Sequence, residues 1–272
     1  MDRLLAAITC DFDGESVLFF RRQSGSPKPF MNELSLRQFG PQVGMRRVLE
    51  MASRLTVPLT VFVPGRMVDR YPDLVKAIHD GGHELGLHGY DHEDVTQLTV
   101  QEEQAILSRS LETMGRLGSG PFGYRSPIWA LNPWSLKLLL DAGVAYDSSL
   151  MNQETPFMLQ NPDGRLLPEI PIQWTLDDMP YYRYIPIQHD VRPLAGFQTM
   201  EIWEEEIRGL LHFGGVPVLT IHPYLSGRAG RLRALEDLLT RLKGEGITFV
   251  SLAKLAAEEA HLGPVVPFPS LD

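Results

Sequence analysis

The sequence predicts an α/β fold, a barrel-like single domain of about seven parallel strands, on three observations. Short apolar runs recur along the chain, most are followed by a segment of helical period, and polar residues capable of chemistry gather where the runs end. A length of 272 residues at 43% hydrophobic composition suffices for one large domain with a substantial core.

Taken in order, LLAAITC precedes VGMRRVLEMASRL, PLTVFVPG precedes RYPDLVKAIHDGG, and HELGLHG precedes VQEEQAILSRSLETMGRLG. The alternation continues with FGYRSP before NPWSLKLLLDAG, then VAYDSS, then VPVLTIHP before GRLRALEDLLTRLKGEG, and ITFVSL before AKLAAEEAHL. The apolar runs read as strands and the segments of helical period as helices packed on them. One domain over residues 1–272 is expected, with loop insertions at 22–43 and 151–200. The first is polar and punctuated by Pro and Gly; the second holds 7 of the 21 prolines together with Trp174, Tyr181, Tyr182 and Tyr184. An excursion of about fifty residues with few helix signals reads as a functional loop or an oligomer contact. Its aromatics can wall a pocket.

Lys and Arg number 25 against 34 Asp and Glu, a formal net charge of -9, and no basic run is longer than the pairs Arg21-Arg22 and Arg46-Arg47. Such a surface repels phosphate backbones and anionic lipid, so neither nucleic acid nor a membrane is an expected partner. The single cysteine, Cys10, lies in an apolar run and reads as a small buried hydrophobe. LLAAITC is too short for a secretory core and no stretch approaches the ~18 apolar residues of a membrane span, so a cytoplasmic protein is expected.

In parallel α/β architectures ligands bind at the C-terminal ends of the strands. There the chain carries Asp11 and Asp13 after the first run, His88 and His92 after the third, Arg125 at the fourth, Asp147 at the fifth, and His222 at the end of VPVLTIHP. Each alone reads equally well as a cap, a turn former or a surface charge. Their succession at strand ends does not.

The densest stretch is HELGLHGYDHED, residues 83–94, with three histidines and four carboxylates. His88 and His92 stand four apart, a spacing that lets two imidazoles converge on one ion. Asp11 and Asp13 stand two apart on a strand and so share a face, while Cys10 and Phe12 turn to the packed side. Two buried carboxylates repel unless a cation relieves them. Asp13, His88 and His92 with a water in fourth place give the open tetrahedral set of a catalytic zinc-type site, whereas calcium would take more oxygens.

TCDFDGES, HGYDHED, GYRSPIW and LTIHP together resemble the ordered motifs of the polysaccharide deacetylase-like superfamily, carbohydrate esterase family 4, from about Ile8 to Leu255. The resemblance implies a distorted (β/α) barrel, a divalent metal, most readily zinc, on Asp13, His88 and His92, Asp11 as base, Arg125 fixing it, and His222 as acid. The commonest form of the first motif has adjacent aspartates; here Asp11 and Asp13 are spaced, and with YDSSLM and EIPIQWTLDDMP this looks like a branch of cytoplasmic peptidoglycan-deacetylase-like proteins and cyclic-imide or ureide hydrolases. His222 requires an acidic neighbour, for which Asp147, Asp177 and Asp178 are candidates. Trp129 and Trp174, with Asp147 and Asp178, are candidate substrate-binding residues.

A metal-dependent hydrolase of non-peptide C–N bonds is therefore expected, acting on an N-acetylated sugar or a small cyclic amide. A cyclic imide or ureide hydrolase is the alternative, and a non-catalytic carbohydrate-binding protein on the same fold is the competing class. The apolar side chains on 22–43 and 151–200 lead to the expectation of a homo-oligomer, a tetramer by resemblance.

Overall fold

β1 (Leu5–Asp11) is the axis around which the chain is organised. It is flanked in parallel by β2 (Thr60–Val63) and β6 (Val218–Ile221), and β3 (Glu84–Leu87) pairs with the far side of β2. The computed structural model describes residues 4–23, 31–118, 120–184, 193–258 and 262–270. From β3 the ladder continues through single parallel bridges, Leu87 to Tyr124, Tyr124 to Asp147 and Asp147 to Glu169. On the other flank Asp177 bridges Thr220. The result is a distorted barrel whose wall is a true sheet on one side and a chain of single bridges on the other. β7 (Thr248–Phe249) pairs with the start of β1.

The seven apolar runs all lie at strand positions, although FGYRSP and VAYDSS contribute one bridging residue each, Tyr124 and Asp147. Side-chain alternation then sorts the residues of β1. Ile8, Cys10 and Phe12 face the main core under the helices, where Met45, Met51, Trp203 and Leu239 are buried against the sheet. Ala7 faces the barrel interior with Phe62, Tyr146, Ile170 and Val218. One step further up that same inner face stands Thr9, whose hydroxyl lies 3.0 Å from that of Thr220. Another step brings Asp11. The interior thus passes from apolar side chains to hydroxyls to carboxylates towards the strand ends.

Outside the barrel run α3 (Met45–Leu55), α5 (Pro72–Asp80), α6 (Val100–Gly115), α7 (Ser135–Asp141), α11 (Ala229–Gly244) and α12 (Leu252–Ala257), each on a segment with helical period, while the short α4 (Gly65–Arg70) and α10 (Pro223–Ser226) follow β2 and β6. α6 starts at a reciprocal cap between Thr99 and Glu102, as the sequence T-x-x-E favours.

Two expectations need correction. Residues 31–44 are not a loop: α2 (Met31–Phe39) runs into one π turn, Gly40–Gly44, and on into α3. Residues 16–23 form α1 (Ser16–Gln23), and 24–30 lie outside the described residues. The segment 151–200 contains an antiparallel hairpin, β4 (Phe157–Gln160) with β5 (Leu166–Glu169), then the short α8 (Met179–Tyr182) and the start of α9 (Gly196–His212); 185–192 lie outside the described residues. α9 escapes a reading of period because EIWEEEIRGLLH is dense in carboxylates, yet Thr199, Met200, Trp203, Ile207 and Leu210 form one buried stripe. β4 pairs in parallel with β8 (Val265–Pro267), which fastens the hairpin. Among the described residues no helix is long and apolar enough to cross a membrane.

Candidate active site and metal centre

The first strand delivers Asp11 at its end, and Asp13 follows in a turn that Gly14 enters at φ +50, a conformation open to glycine. Both carboxylates are buried. Arg125, itself fully buried, spreads its guanidinium across the barrel interior: Nη1 donates to Asp11 Oδ1 at 2.8 Å and to Thr9 Oγ1 at 2.7 Å. Nε and Nη2 donate to the backbone and hydroxyl oxygens of Ser148, both at 3.0 Å. The fork is thus fixed by the fifth strand position and aimed at the first. Burial works against the charge of Asp11, but Arg125 foremost, then His88 and His222, hold its carboxyl below the ordinary range.

His88 Nδ1 stands 2.8 Å from the backbone carbonyl of Arg125, which can only accept, so the imidazole turns Nε2 towards the aspartates. Nε2 lies 3.5 Å from Asp13 Oδ1, and His92 Nε2 lies 3.6 Å from Asp13 Oδ2. The loop between the two histidines is tied by Glu93, whose carboxylate accepts from the backbone N–H groups of Tyr90 and Asp91 at 2.9 and 2.8 Å. His92 itself sits at φ +55, a left-handed conformation that turns its ring inward. Burial carries its imidazole down to about 4 against the pull of Asp13, leaving it neutral near neutral pH.

Asp13, His88 and His92 offer three ligand atoms within 4.8 Å of one another. Asp13 Oδ1 is buried and accepts no hydrogen bond, and its contacts with the imidazoles are longer than hydrogen bonds. One carboxylate and two imidazoles converging on a common point fit a divalent ion of the zinc type.

Across Asp13 from these stands His222, with Nε2 3.8 Å from Asp13 Oδ2. Its Nδ1 lies 2.7 Å from Asp178 Oδ1, and its backbone N–H donates to Asp178 Oδ2 at 2.9 Å. The Ser226 hydroxyl donates to the same oxygen. Burial opposes a charged imidazole, but Asp178, Asp177 and Asp13 outweigh it and raise His222 well above its ordinary value. Asp177, Asp178 and His222 also converge closely. The oxygens of Asp178 are already spent on hydrogen bonds, so this group reads as a relay and not as a second ion site.

Of the three candidate partners of His222, Asp178 holds that place at 0% exposure, shut off from a substrate contact. Asp177 is next, at 3.5 Å, and burial pushes it up to about 7. Asp147 is elsewhere: it accepts from Ser149 Oγ at 2.8 Å and is paired with Glu169 at the neighbouring wall position, so it too makes no surface for a substrate. Trp129 and Trp174 meet over the site, stacked at 4.2 Å with 23° between their planes. Trp129 Nε1 points at Asp11 Oδ2 from 3.4 Å, and Trp174 is 45% exposed above it. Ile128 and Trp129 both adopt positive φ, 54 and 56, strain that holds the indole over the carboxylate.

Sequence reasoning passed over Arg37, Tyr224 and Glu169. Arg37, on α2, is almost fully buried, with Nη1 3.7 Å from Asp13 Oδ2 and 3.5 Å from the Gly14 carbonyl. No spacing rule links it to Asp13. Tyr224 follows His222 by two, which was a usable signal, and its ring carries the Arg37 guanidinium at 4.9 Å.

The family model described as Polysaccharide deacetylase matches residues 39–146. A crystal structure of a putative polysaccharide deacetylase from Mycobacterium smegmatis is 32% identical, covers 100% of this chain and 96% of its own, and superposes with a TM-score of 0.88. A peptidoglycan deacetylase of Helicobacter pylori is 28% identical over 86% of this chain and 89% of its own length. A peptidoglycan deacetylase-like protein of Gibberella zeae is also 28% identical, over 97% and 88%.

Proposed function

We propose, given that the chain belongs to the polysaccharide deacetylase family and is a hydrolase of non-peptide carbon–nitrogen bonds, that it removes the acetyl group from an N-acetylated amino sugar at the centre formed by Asp11, Asp13, His88, His92 and His222. One observation carries this reading. A carboxylate held ionised by Arg125 and an imidazole held protonated by Asp178 face each other across one metal-ligand triad.

A zinc ion on Asp13, His88 and His92 supplies, when bound, positive charge that acidifies water and stabilises an oxyanion. Asp11 receives the proton of the attacking water on Oδ2, the oxygen left free by Arg125. Trp129 Nε1 at that oxygen orients it. The water oxygen bonds to the acyl carbon, the C–N bond breaks, and His222 Nε2 delivers its proton to the leaving nitrogen. The products are a carboxylic acid and a free amine. Asp178 then favours reprotonation of His222.

A second reading, hydrolysis of a small cyclic imide, draws support from the Trp129–Trp174 stack, which narrows the mouth above Asp11. Acetate release from N-acetylglucosamine oligomers, measured beside ring opening of succinimide, hydantoin and allantoin, separates the two. Turnover of the cyclic amides alone defeats the deacetylase reading. Tight metal-dependent sugar binding with no turnover at all favours a non-catalytic carbohydrate-binding protein.

We further propose a homo-oligomer, a tetramer, because Met31, Phe197 and Phe213 are 74%, 63% and 81% exposed. Light scattering giving the 30.6 kDa monomer mass at micromolar concentration defeats it. Cytoplasmic residence belongs to the same proposal, and cell fractionation tests it.

A further inference from the structure

Beside the catalytic centre lies a cavity of about 1450 Å3 that no step of the reaction uses. Arg37 and Tyr224 belong to both: Arg37 reaches Asp13 from one side and lines the cavity from the other, and the Tyr224 ring stands 5.9 Å from that of His222. The floor is apolar and aromatic, built by Tyr182, Tyr224 and Leu225, which pack together as a small core of their own. The charged lining is lopsided. Among the described residues it holds six arginines against two carboxylates, Glu33 and Asp237, in a chain whose net charge is -9. Glu33 is engaged with Arg21 at 2.9 Å.

Arg183, Arg228, Arg231 and Arg233 have no carboxylate within ion-pair distance among the described residues. Arg228 and Arg231 are held in place by aromatic rings instead, at 3.6 Å from Phe39 and 4.2 Å from Tyr182. Arg183 is half-buried; burial first, then its neighbours Arg37 and Arg21, lower its pKa, the mark of a cation with too little countercharge. Guanidinium groups spaced over an aromatic floor bind carboxylate and phosphate oxygens in fork geometry. The volume exceeds the ~300–1,000 Å3 of an ordinary small-molecule pocket and leaves room for more than one sugar ring.

We propose that this cavity is an anion-binding subsite for an acidic group, a carboxylate or phosphate ester, carried on the sugar chain beyond the N-acetyl unit, so that the substrate is an anionic oligosaccharide. The inference rests on the deacetylase reading for the word substrate and on the cavity alone for the word anionic. Arg37, bridging the two, couples occupancy of the subsite to the position of Asp13.

Calorimetry on the metal-loaded full chain tests it with probes that have no N-acetyl group: trigalacturonic acid, a glucose trimer phosphorylated at one 6-position, and the neutral glucose trimer. One or both acidic probes are expected to bind at least tenfold more tightly than the neutral one, the tighter of the two identifying the anion. Arg183→Gln and Arg233→Gln should each cost roughly tenfold in that affinity, and Arg183→Lys should restore part of it. With N-acetylated oligosaccharides, the ratio of kcat/KM for an acidic over a neutral substrate should fall in Arg183→Gln through KM. Equal affinity of the wild type for all three probes overturns the proposal. So does a change of assembled mass in the arginine variants with no change in probe binding, which would make the cavity a contact between copies. If acidic probes bind as expected while the wild type releases acetate from no sugar, the subsite stands and the deacetylase reading falls.

Discussion

Two pairs of buried carboxylates sit at strand ends of the same barrel and reach different charge states. Asp11 and Asp13 are 1% and 2% exposed, Asp147 and Glu169 both 0%, so burial does not distinguish them. The company does. Asp11 faces the Arg125 guanidinium and Asp13 three imidazoles, and both stay ionised. Asp147 and Glu169 face each other, with Ser149 Oγ and two backbone N–H groups in attendance. Burial first, and then repulsion from Asp147, raises Glu169 well above its ordinary value, and burial raises Asp147. Two carboxyls so placed hold one proton between them and become a singly charged clasp between neighbouring wall positions, where Asp11 and Asp13 carry two charges. A carboxylate becomes a base or a strut according to the sign of its neighbour.

The comparison breaks most visibly in turnover. Asp11→Asn is expected to lose about two to four orders of magnitude in kcat while keeping its metal, and His222→Ala likewise. Glu169→Gln, whose amide can still bond Asp147, should stay within about tenfold of wild type. Equal losses in Asp11→Asn and Glu169→Gln, read by acetate release, would erase the distinction between the pairs.

A smaller effect is expected in metal binding. His92→Ala removes one of three converging ligands and should weaken zinc by more than tenfold, since changes even beyond the ligands cost ~10–100-fold. Full occupancy after dialysis, by elemental analysis, would remove His92 from the set. Asp178→Asn sharpens the role of sign: Asp178 raises the pKa of His222, so its loss should bring the alkaline limb of the kcat/KM profile to lower pH. An unmoved limb would show that another group sets it.

The smallest effect is on stability. Above the unfolded carboxyl pKa of about 4, the folded protein retains a proton on Asp147–Glu169 that the unfolded chain has lost. That contribution is complete below about pH 4 and decays as pH rises towards the raised folded value, by up to about 1.4 kcal/mol per unit. Glu169→Gln needs no proton there, so its denaturant midpoint should fall less between pH 5 and 9, roughly, than that of the wild type. Parallel slopes would mean that the pair carries no shared proton.

What the sequence made legible is what short-range rules reach. The ligand triad is written in the two-residue and four-residue spacings of Asp11–Asp13 and His88–His92, and Arg125 and His222 follow from the ends of apolar runs. Choosing Asp178 among three aspartates required the tertiary fold, because the choice rests on the Asp177–Thr220 bridge that lays the segment beside β6. Arg37 lies on a helix that Pro and Gly in the neighbouring sequence disguised as a loop. Glu169 reads as an ordinary surface carboxylate in LLPEI, and only the hairpin turns it inward.

The pairing of β4 with β8 has a consequence for synthesis. The hairpin that carries Glu169 leaves the ribosome with one edge bare, and the segment that covers it, Val265 opposite Met158, follows more than a hundred residues later. During that interval the nascent chain exposes a strand edge to its neighbours on the polysome, and the barrel wall behind Asp147 has no fastening. Arrested chains ending before residue 262 should be cut by protease at 157–169, and chains extended past 267 should resist.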